Sequence, residues 1–322
     1  MQKLSIGIIG FNEEDGIGKL LESLQEQTLL KNSYDVEVIV VSNGSYDNMV
    51  AIAKEKLITF DNLGVKTKVV ELAIADKCAA WNHFIHEASA QADYYIVLDA
   101  DVALVNKSGL EEMINILVAH PECRVCGGKI VGKKGDVIDR QVDGKCYAAP
   151  GDVLRNIAIP NGIVMDDAYI AITAVTNWYE TDFEQGNKKG YVKQVDNITV
   201  SCGETTRDKT DISYWLASRK RTITGGYVQK HVDYCMRNIF GGGESAKNIS
   251  MKLFYSNPEW FLEYLKREDF KPDFNPPAVS TLLSVKGILL YIIYCYCYGL
   301  SIKGIKEREF GHLAWKLKGR YW

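Results

Sequence analysis

The first 105 residues alternate between short apolar runs and stretches of helical periodicity, and that alternation limits the fold more than any other feature of the chain. Residues 4–9, 36–41, 65–72 and 94–98 are runs rich in β-branched and aromatic side chains, each short enough for a strand. Between them Ile17, Leu20, Leu21 and Leu24, and then Met49, Ile52, Ala53 and Leu57, recur at helical spacing, while residues 78–90 read as a third helix. Strands alternating with helices predict βαβ units and a parallel sheet. Strands apolar on both sides predict a sheet covered by helices on both faces. Ligands of such sheets bind beyond the carboxyl ends of the strands. The residues directly after each run are polar: Asn12, Glu13 and Glu14; Asn43 and Asp47; Asp76 and Lys77; and Asp99-Ala100-Asp101.

Composition narrows the function classes. With 47% hydrophobic and 25% charged residues, the 322-residue chain is of ordinary globular type. Its 38 basic and 41 acidic residues give a net charge of −3, so nucleic acid is not expected as a partner. A mean hydropathy of −0.12 excludes a polytopic membrane protein. The N-terminus lacks a basic segment followed by an apolar core and cleavage site, which predicts a cytoplasmic location. The eight cysteines are then expected as free thiols. Cys123-Arg124-Val125-Cys126 has no second such pair with which to build a zinc ribbon. Beyond residue 106 the pattern is irregular and antiparallel-looking, with strand candidates at 123–131 and 137–147. There follow an acidic pair, Asp166 and Asp167, leading into an apolar helix, a basic helical stretch at 207–237, a flexible glycine loop at 239–244 and a break at Asn275-Pro276-Pro277.

Asp99-Ala100-Asp101 carries the clearest chemistry. Carboxylates spaced i, i+2 at a strand end point to the same side, and two close carboxylates repel unless a cation neutralises them. Hard ions such as Mg²⁺ or Mn²⁺ use one or two carboxylates together with substrate phosphates. The pair therefore suits a metal–diphosphate site, with a solvated turn as the alternative. Lys77, at a loop–helix junction beyond a strand, stands where a lysine reaches phosphate; a surface lysine is the other reading.

Taken in order, Phe11-Asn12-Glu13-Glu14, Ser42-Asn43-Gly44-Ser45-Tyr46-Asp47, Asp76-Lys77-Cys78-Ala79-Ala80-Trp81-Asn82 and Leu98-Asp99-Ala100-Asp101 resemble the family-2 glycosyltransferases, clearly over residues 4–105 and more weakly over 140–230. The resemblance implies a GT-A fold: a Rossmann-like, mostly parallel sheet flanked by helices, here with a C-terminal helical tail. Residues 1–105 would be the nucleotide-sugar-binding half, 106–275 the acceptor-binding and catalytic half, and 276–322 an aromatic, basic tail. It implies donor contacts from Phe11, Asn12, Glu14, Asn43, Asp47, Lys77, Asn82 and Asp99, and metal ligation of Mn²⁺ or Mg²⁺ by Asp99 and Asp101. The family's acidic pair ahead of Gly-Ser is Ser42-Asn43 here, so an amide replaces an acidic contact to the base. Asp166 and Asp167 match the segment supplying the family's catalytic base, which maps to Asp167. Arg219 and Arg221 fall where the family has a Gln-x-x-Arg-Trp-like segment, of which only Arg221 fits; a diphosphate contact and a solvated helix face both stand. His231 falls where some GT-A enzymes place a third metal ligand, although a core histidine is the commoner role.

One base and no covalent nucleophile imply transfer with inversion, from a nucleotide diphospho-sugar, UDP-sugar first among them, to a glycan or lipid-linked acceptor. Two other classes compete: a sugar nucleotidyltransferase, disfavoured by the acidic loop after the first strand, and a non-catalytic sugar-nucleotide-binding pseudoenzyme. Residues 278–300 are apolar with one charge, Lys286, and residues 301–322 add Lys303, Lys306, Arg308, Lys316, Lys318, Arg320, Phe310, Trp315, Tyr321 and Trp322. Three readings stand for this tail: peripheral docking on the cytoplasmic face of a membrane, a core-packing or homo-oligomer helix, and a true span.

Overall fold

A computed structural model describes residues 1–32, 34–73, 75–132, 135–138, 141–202, 212–263 and 284–307. The strands are Gln2–Gly10 (β1), Tyr34–Asn43 (β2), Lys66–Leu72 (β3), Tyr94–Asp99 (β4), Val102–Leu104 (β5), Val125–Val131 (β6), Val137–Ile138 (β7), Cys146–Pro150 (β8) and Val192–Cys202 (β9). They form one sheet in the order β3-β2-β1-β4-β8-β6-β9-β5, with β7 paired to β6. The first four strands are mutually parallel, and β8 turns antiparallel against β4. Strand order runs outward from β1 to β3 and then restarts on the other side at β4. The carboxyl ends of β1 and β4 therefore form a topological switch point, the ligand crevice of open α/β sheets.

Alternation along β1 divides the core. Leu4, Ile6 and Ile8 face the helices Glu14–Gln25 (α1), Met49–Leu57 (α2) and Gly109–Ala119 (α4). Ile9, with Ile39, Val41, Tyr95 and Val97, faces the opposite layer. That layer contains Lys77–His83 (α3), Gly151–Leu154 (α5), Asp166–Val175 (α6), Ile212–Tyr234 (α8) and Gly243–Ser256 (α9); Phe183–Lys188 (α7) follows α6 in the chain. In α1 the stripe Ile17, Leu20, Leu21 and Leu24 is wholly buried, and Glu14 and Asp15 favour the positive end of the helix dipole. Gly7 is glycine because a Cβ there would lie 2.3 Å from the Phe84 ring, which packs directly on the strand.

Several expectations change. The strand expected at 137–147 is two separate pieces, β7 and β8, with a turn at 143–145 between β8 and the cleft. The glycine loop at 239–244 is a tight turn: Gly241, Gly242 and Gly243 all have positive φ, and the Gly243 N–H donates to the Trp178 carbonyl (2.8 Å). The basic helix starts at Ile212, and residues 207–211 lie outside the described residues, as do the break at 275–277 and the tail at 276–283 and 308–322 with Arg308, Phe310, Trp315, Lys316, Lys318, Arg320, Tyr321 and Trp322. None of the eight cysteines is paired, and Cys123, Cys126 and Cys146 are buried in and beside strands, as expected.

The described part of the tail is one helix, Val285–Lys306 (α10), packed along α8. Ser301 Oγ donates to the Lys220 carbonyl (3.2 Å), Cys297 Sγ meets the Leu216 carbonyl (3.7 Å), and the Arg219 guanidinium lies 5.9 Å from the Tyr294 ring centre. Ile288, Leu289, Ile292 and Tyr296 form a stripe that is 48–58% exposed. Within Gly287–Lys306 an 18-residue window reaches a mean hydropathy of 1.6, so this part of α10 is long and apolar enough to cross a membrane by length and composition.

Asn82 corrects the sequence reading most directly. It does not open toward the cleft: its buried amide clasps Ile159, with Nδ2 donating to the carbonyl (2.8 Å) and Oδ1 accepting from the N–H (2.9 Å). Its role is to tie α3 to the segment before α6. Asn82→Ala leaves both backbone groups unpaired in the core and is expected to destabilise the protein by about 2–4 kcal/mol in urea unfolding.

Candidate active site

Two loops build one end of the cleft. Asn12 adopts a left-handed backbone (φ 53°), which Asn tolerates better than most residues. Its N–H donates to Ser45 Oγ (3.0 Å) and its Oδ1 accepts from the Tyr46 N–H (3.0 Å). The Glu14 N–H donates to Asp47 Oδ2 (3.0 Å), and Glu14 Oε2 accepts from both nitrogens of Asn48 (3.1 and 3.0 Å). The loops after β1 and β2 are thus stapled together, with the Phe11 and Tyr46 rings edge to face above them (centroids 6.1 Å apart). Asn43 Oδ1 accepts from the Asp76 N–H, and Asp76 in turn caps α3 by accepting from the Ala79 N–H (3.0 Å). These caps fix Lys77 at the first position of α3.

Lys77 is the centre of the charge cluster. Its Nζ lies 2.9 Å from Asp99 Oδ1 and 3.3 Å from Asp166 Oδ2. Lys145, unmarked in the sequence, places its Nζ 2.8 and 2.7 Å from the two oxygens of Asp101. Gly144 lets the turn approach: a Cβ there would lie 3.1 Å from Asp167 Cβ and 3.3 Å from Lys77 Nζ. Burial works against the charge on Lys77, yet Asp166, Asp99 and Asp167 hold it well above its ordinary range, so it stays protonated. Burial pushes Asp99 up to about 6 against the pull of Lys77 and Lys145. Burial, helped by the neighbouring Asp166, also raises Asp167, whose Oδ1 accepts from the Ala168 N–H (2.9 Å).

Among the described residues no three His, Cys, Asp or Glu side chains converge as a complete metal cage. Asp99 and Asp101 instead offer hard oxygen donors at one turn, a set that fits a divalent ion such as Mg²⁺ or Mn²⁺ sharing its coordination with phosphate oxygens. A cavity of about 570 Å³ exists elsewhere, lined by Gln2, Tyr94, Arg124 and Asp152 at the amino ends of β1 and β4; none of the carboxylates described above borders it.

The sequence profile of the glycosyl transferase family 2 matches residues 5–174, more than half of the chain. The chain belongs to this family. The fold agrees: mannosyltransferase PcManGT from Pyrobaculum calidifontis, solved in complex with GDP-Man and Mn²⁺, is similar over 95% of this chain and 88% of its own, at 16% identity and a TM-score of 0.55. S. aureus TarS 1-349 is similar over 99% of this chain and 93% of its own, at 13% identity and a TM-score of 0.53. No curated protein sequence matches the chain.

The glycosyltransferase brings Lys77, Asp99 and Asp166 into contact, with Asp101 and Asp167 beside them, and groups Phe11, Asn12, Glu14 and Asp47 in the stapled loops. Asn43 lies beside them through Asp76. Arg219 stacks toward Tyr294 on α10, and Arg221 is exposed. His231 is 1% exposed and packs edge-on to Tyr227 (4.6 Å) in the core behind the sheet, where burial lowers it to about 4. It is a core histidine, not a third metal ligand. Lys145, Asp143 and Gly144 were missed because an isolated Asp-Gly-Lys carries no periodic or motif signal; only its place opposite Asp99 in the β4–β8 pairing marks it.

A carboxyl whose folded pKa lies above its unfolded value binds its proton more tightly in the native state. Its stabilising contribution is present below about pH 4 and lost as pH rises through about 6. Asp99→Asn is therefore expected to raise the melting temperature at pH 8, with the gain shrinking to near zero by pH 4, measured by calorimetry across that range.

Proposed function

We propose that the chain is an inverting, nucleotide-sugar-dependent glycosyltransferase, and that its donor diphosphate lies at the Asp99-Ala100-Asp101 turn. The observation carrying this reading is the pairing of that turn with two half-buried lysines at the switch point of the sheet. Lys77 and Lys145 there supply the positive charge that a leaving diphosphate needs. The nucleobase is assigned to the stapled loops, where Phe11 and Tyr46 offer aromatic surface beside Asn12, Glu14, Asn43 and Asp47. UDP, the prior for this family, is the first candidate, with GDP and dTDP next because Asn43 stands where the family has an acidic contact to the base. Asp99 and Asp101 would hold Mn²⁺ or Mg²⁺, which when bound supplies Lewis-acid stabilisation of the leaving diphosphate.

Asp167 is the base in this proposal. Asp99 and Asp166 each face the Lys77 ammonium and Asp101 faces Lys145, so those three carboxylates are already committed to ion pairs. Among the described residues Asp167 forms no ion pair, and its raised pKa makes it a better proton acceptor than an ordinary carboxylate. It takes the acceptor hydroxyl proton as that oxygen attacks the anomeric carbon and the diphosphate leaves from the opposite face. Asp167→Asn is expected to lower turnover by about 10²–10⁴-fold while donor affinity stays within about twofold. The acid limb of the wild-type rate profile should lie above the usual carboxylate range. A thermal-shift panel of nucleotide sugars with and without Mn²⁺ identifies the donor: stabilisation by one diphospho-sugar only with metal is the expected result. No response from any of them would remove the reading. Family membership and the acidic Glu13-Glu14 loop favour this over a nucleotidyltransferase, and the assembled carboxylates favour it over a pseudoenzyme.

The tail is assigned to the cytoplasmic face of a membrane, bringing the site to a lipid-linked acceptor. One side of α10 is occupied by α8, so the helix would lie in the surface plane with Ile288, Leu289, Ile292 and Tyr296 toward lipid and Lys303 and Lys306 near anionic headgroups. Leu289→Glu with Ile292→Glu is expected to abolish co-sedimentation with anionic vesicles without changing the melting temperature.

A further inference from the structure

Lys145 stands where a cation on Asp101 would stand. Its ammonium straddles the carboxylate almost evenly, 2.8 Å from Oδ1 and 2.7 Å from Oδ2. A divalent ion held by the same carboxylate would take the oxygens that the ammonium now occupies. Two cations cannot share the position, so one excludes the other. The backbone of Lys145 is pinned: its carbonyl accepts from the Asp99 N–H (3.2 Å) and its N–H donates to Asp143 Oδ1 (3.0 Å). The ammonium alone, on four methylenes, can swing. Its side chain is 25% exposed, and although burial opposes the charge, Asp99 and Asp101 hold the group above its ordinary range. It is a charged group enclosed in the cleft rather than a solvated surface lysine.

We propose that Lys145 is a built-in counter-ion for Asp101, displaced by the divalent cation when the donor arrives, and that the released ammonium then pairs with the donor diphosphate. The inference rests on reading the cleft as a metal–diphosphate site. Without a counter-charge, Asp99 and Asp101 would repel across a single turn. With Lys145 in place the donor-free cleft is neutralised, and bare metal binds weakly because it must expel an ammonium whose hydrogen bonds, among the described residues, go to Asp101. A diphosphate supplies a new partner, so metal and donor each strengthen the other's binding. Such coupling is reciprocal.

The test is a Mn²⁺ titration of the full chain followed by electron paramagnetic resonance of free Mn²⁺, alone and with UDP or GDP. The wild type should bind Mn²⁺ weakly alone and more tightly with nucleotide. Lys145→Met should bind Mn²⁺ alone about 5–150-fold more tightly than wild type, the span of typical site-to-site coupling, and the nucleotide enhancement should shrink by the same factor. Lys145→Gln should behave like Lys145→Met, giving a second neutral variant if one folds poorly, and Lys145→Arg should resemble wild type. Neutral variants that are folded by circular dichroism and bind Mn²⁺ no more tightly than wild type overturn the counter-ion role. Wild type that binds no Mn²⁺ even with nucleotide overturns the metal–diphosphate reading itself, and this inference with it.

Discussion

The Lys77 ammonium holds the two sides of the cleft together. Asp99 ends β4, the last of the four mutually parallel strands, and Asp166 begins α6 in the layer across from it; Lys77 reaches both. Its surroundings serve that reach. Asp76 caps its helix, Asn43 holds Asp76, and Gly144 leaves the turn bare where the lysine passes. Buried ion pairs of this kind seldom add much to stability, since desolvation consumes the attraction. Burial raises Asp99 despite two lysines, which shows that the site holds charge against the preference of the fold. That pattern belongs to a site shaped for chemistry.

The carboxylates divide by partner. Asp99, Asp166 and Asp101 each face a lysine, whereas Asp167, set one residue along α6 from Asp166, forms no ion pair among the described residues; in the proposed reading the first three surround the diphosphate and Asp167 takes the proton. In that proposal two adjacent residues of one helix divide an anchoring role from a reactive one without a change of residue type. The caps and staples around Asn12, Glu14, Asp47 and Asp76 consume much of the polar capacity of the first two loops, so specificity for the base would rest on ring surfaces and backbone groups as well as on those side chains.

Much of this was legible in the chain. The apolar runs located β1 to β4, and the residues behind them located the cleft, because a period-2 or fully apolar strand exposes its function at its end. What escaped depended on non-local pairing. Lys145 reaches Asp101 only because β8 runs antiparallel to β4, a pairing that no local period encodes, and the expected strand across 137–147 hid the turn that carries it. Asn82 matched a family position, yet its amide serves Ile159, 77 residues away. Arg219 and His231 lie on α8, whose two faces were indistinguishable in sequence; Arg219 packs toward Tyr294 of α10 and His231 into the core.

Calorimetric titration of the full chain with the nucleoside diphosphate of its donor, in Mn²⁺ and in chelator, tests the central claim most directly. Binding that needs Mn²⁺ in the wild type, and is lost in Asp101→Asn, is the result this account predicts. Equal binding in chelator, or in Asp101→Asn, would contradict it and move the diphosphate away from the Asp99-Ala100-Asp101 turn.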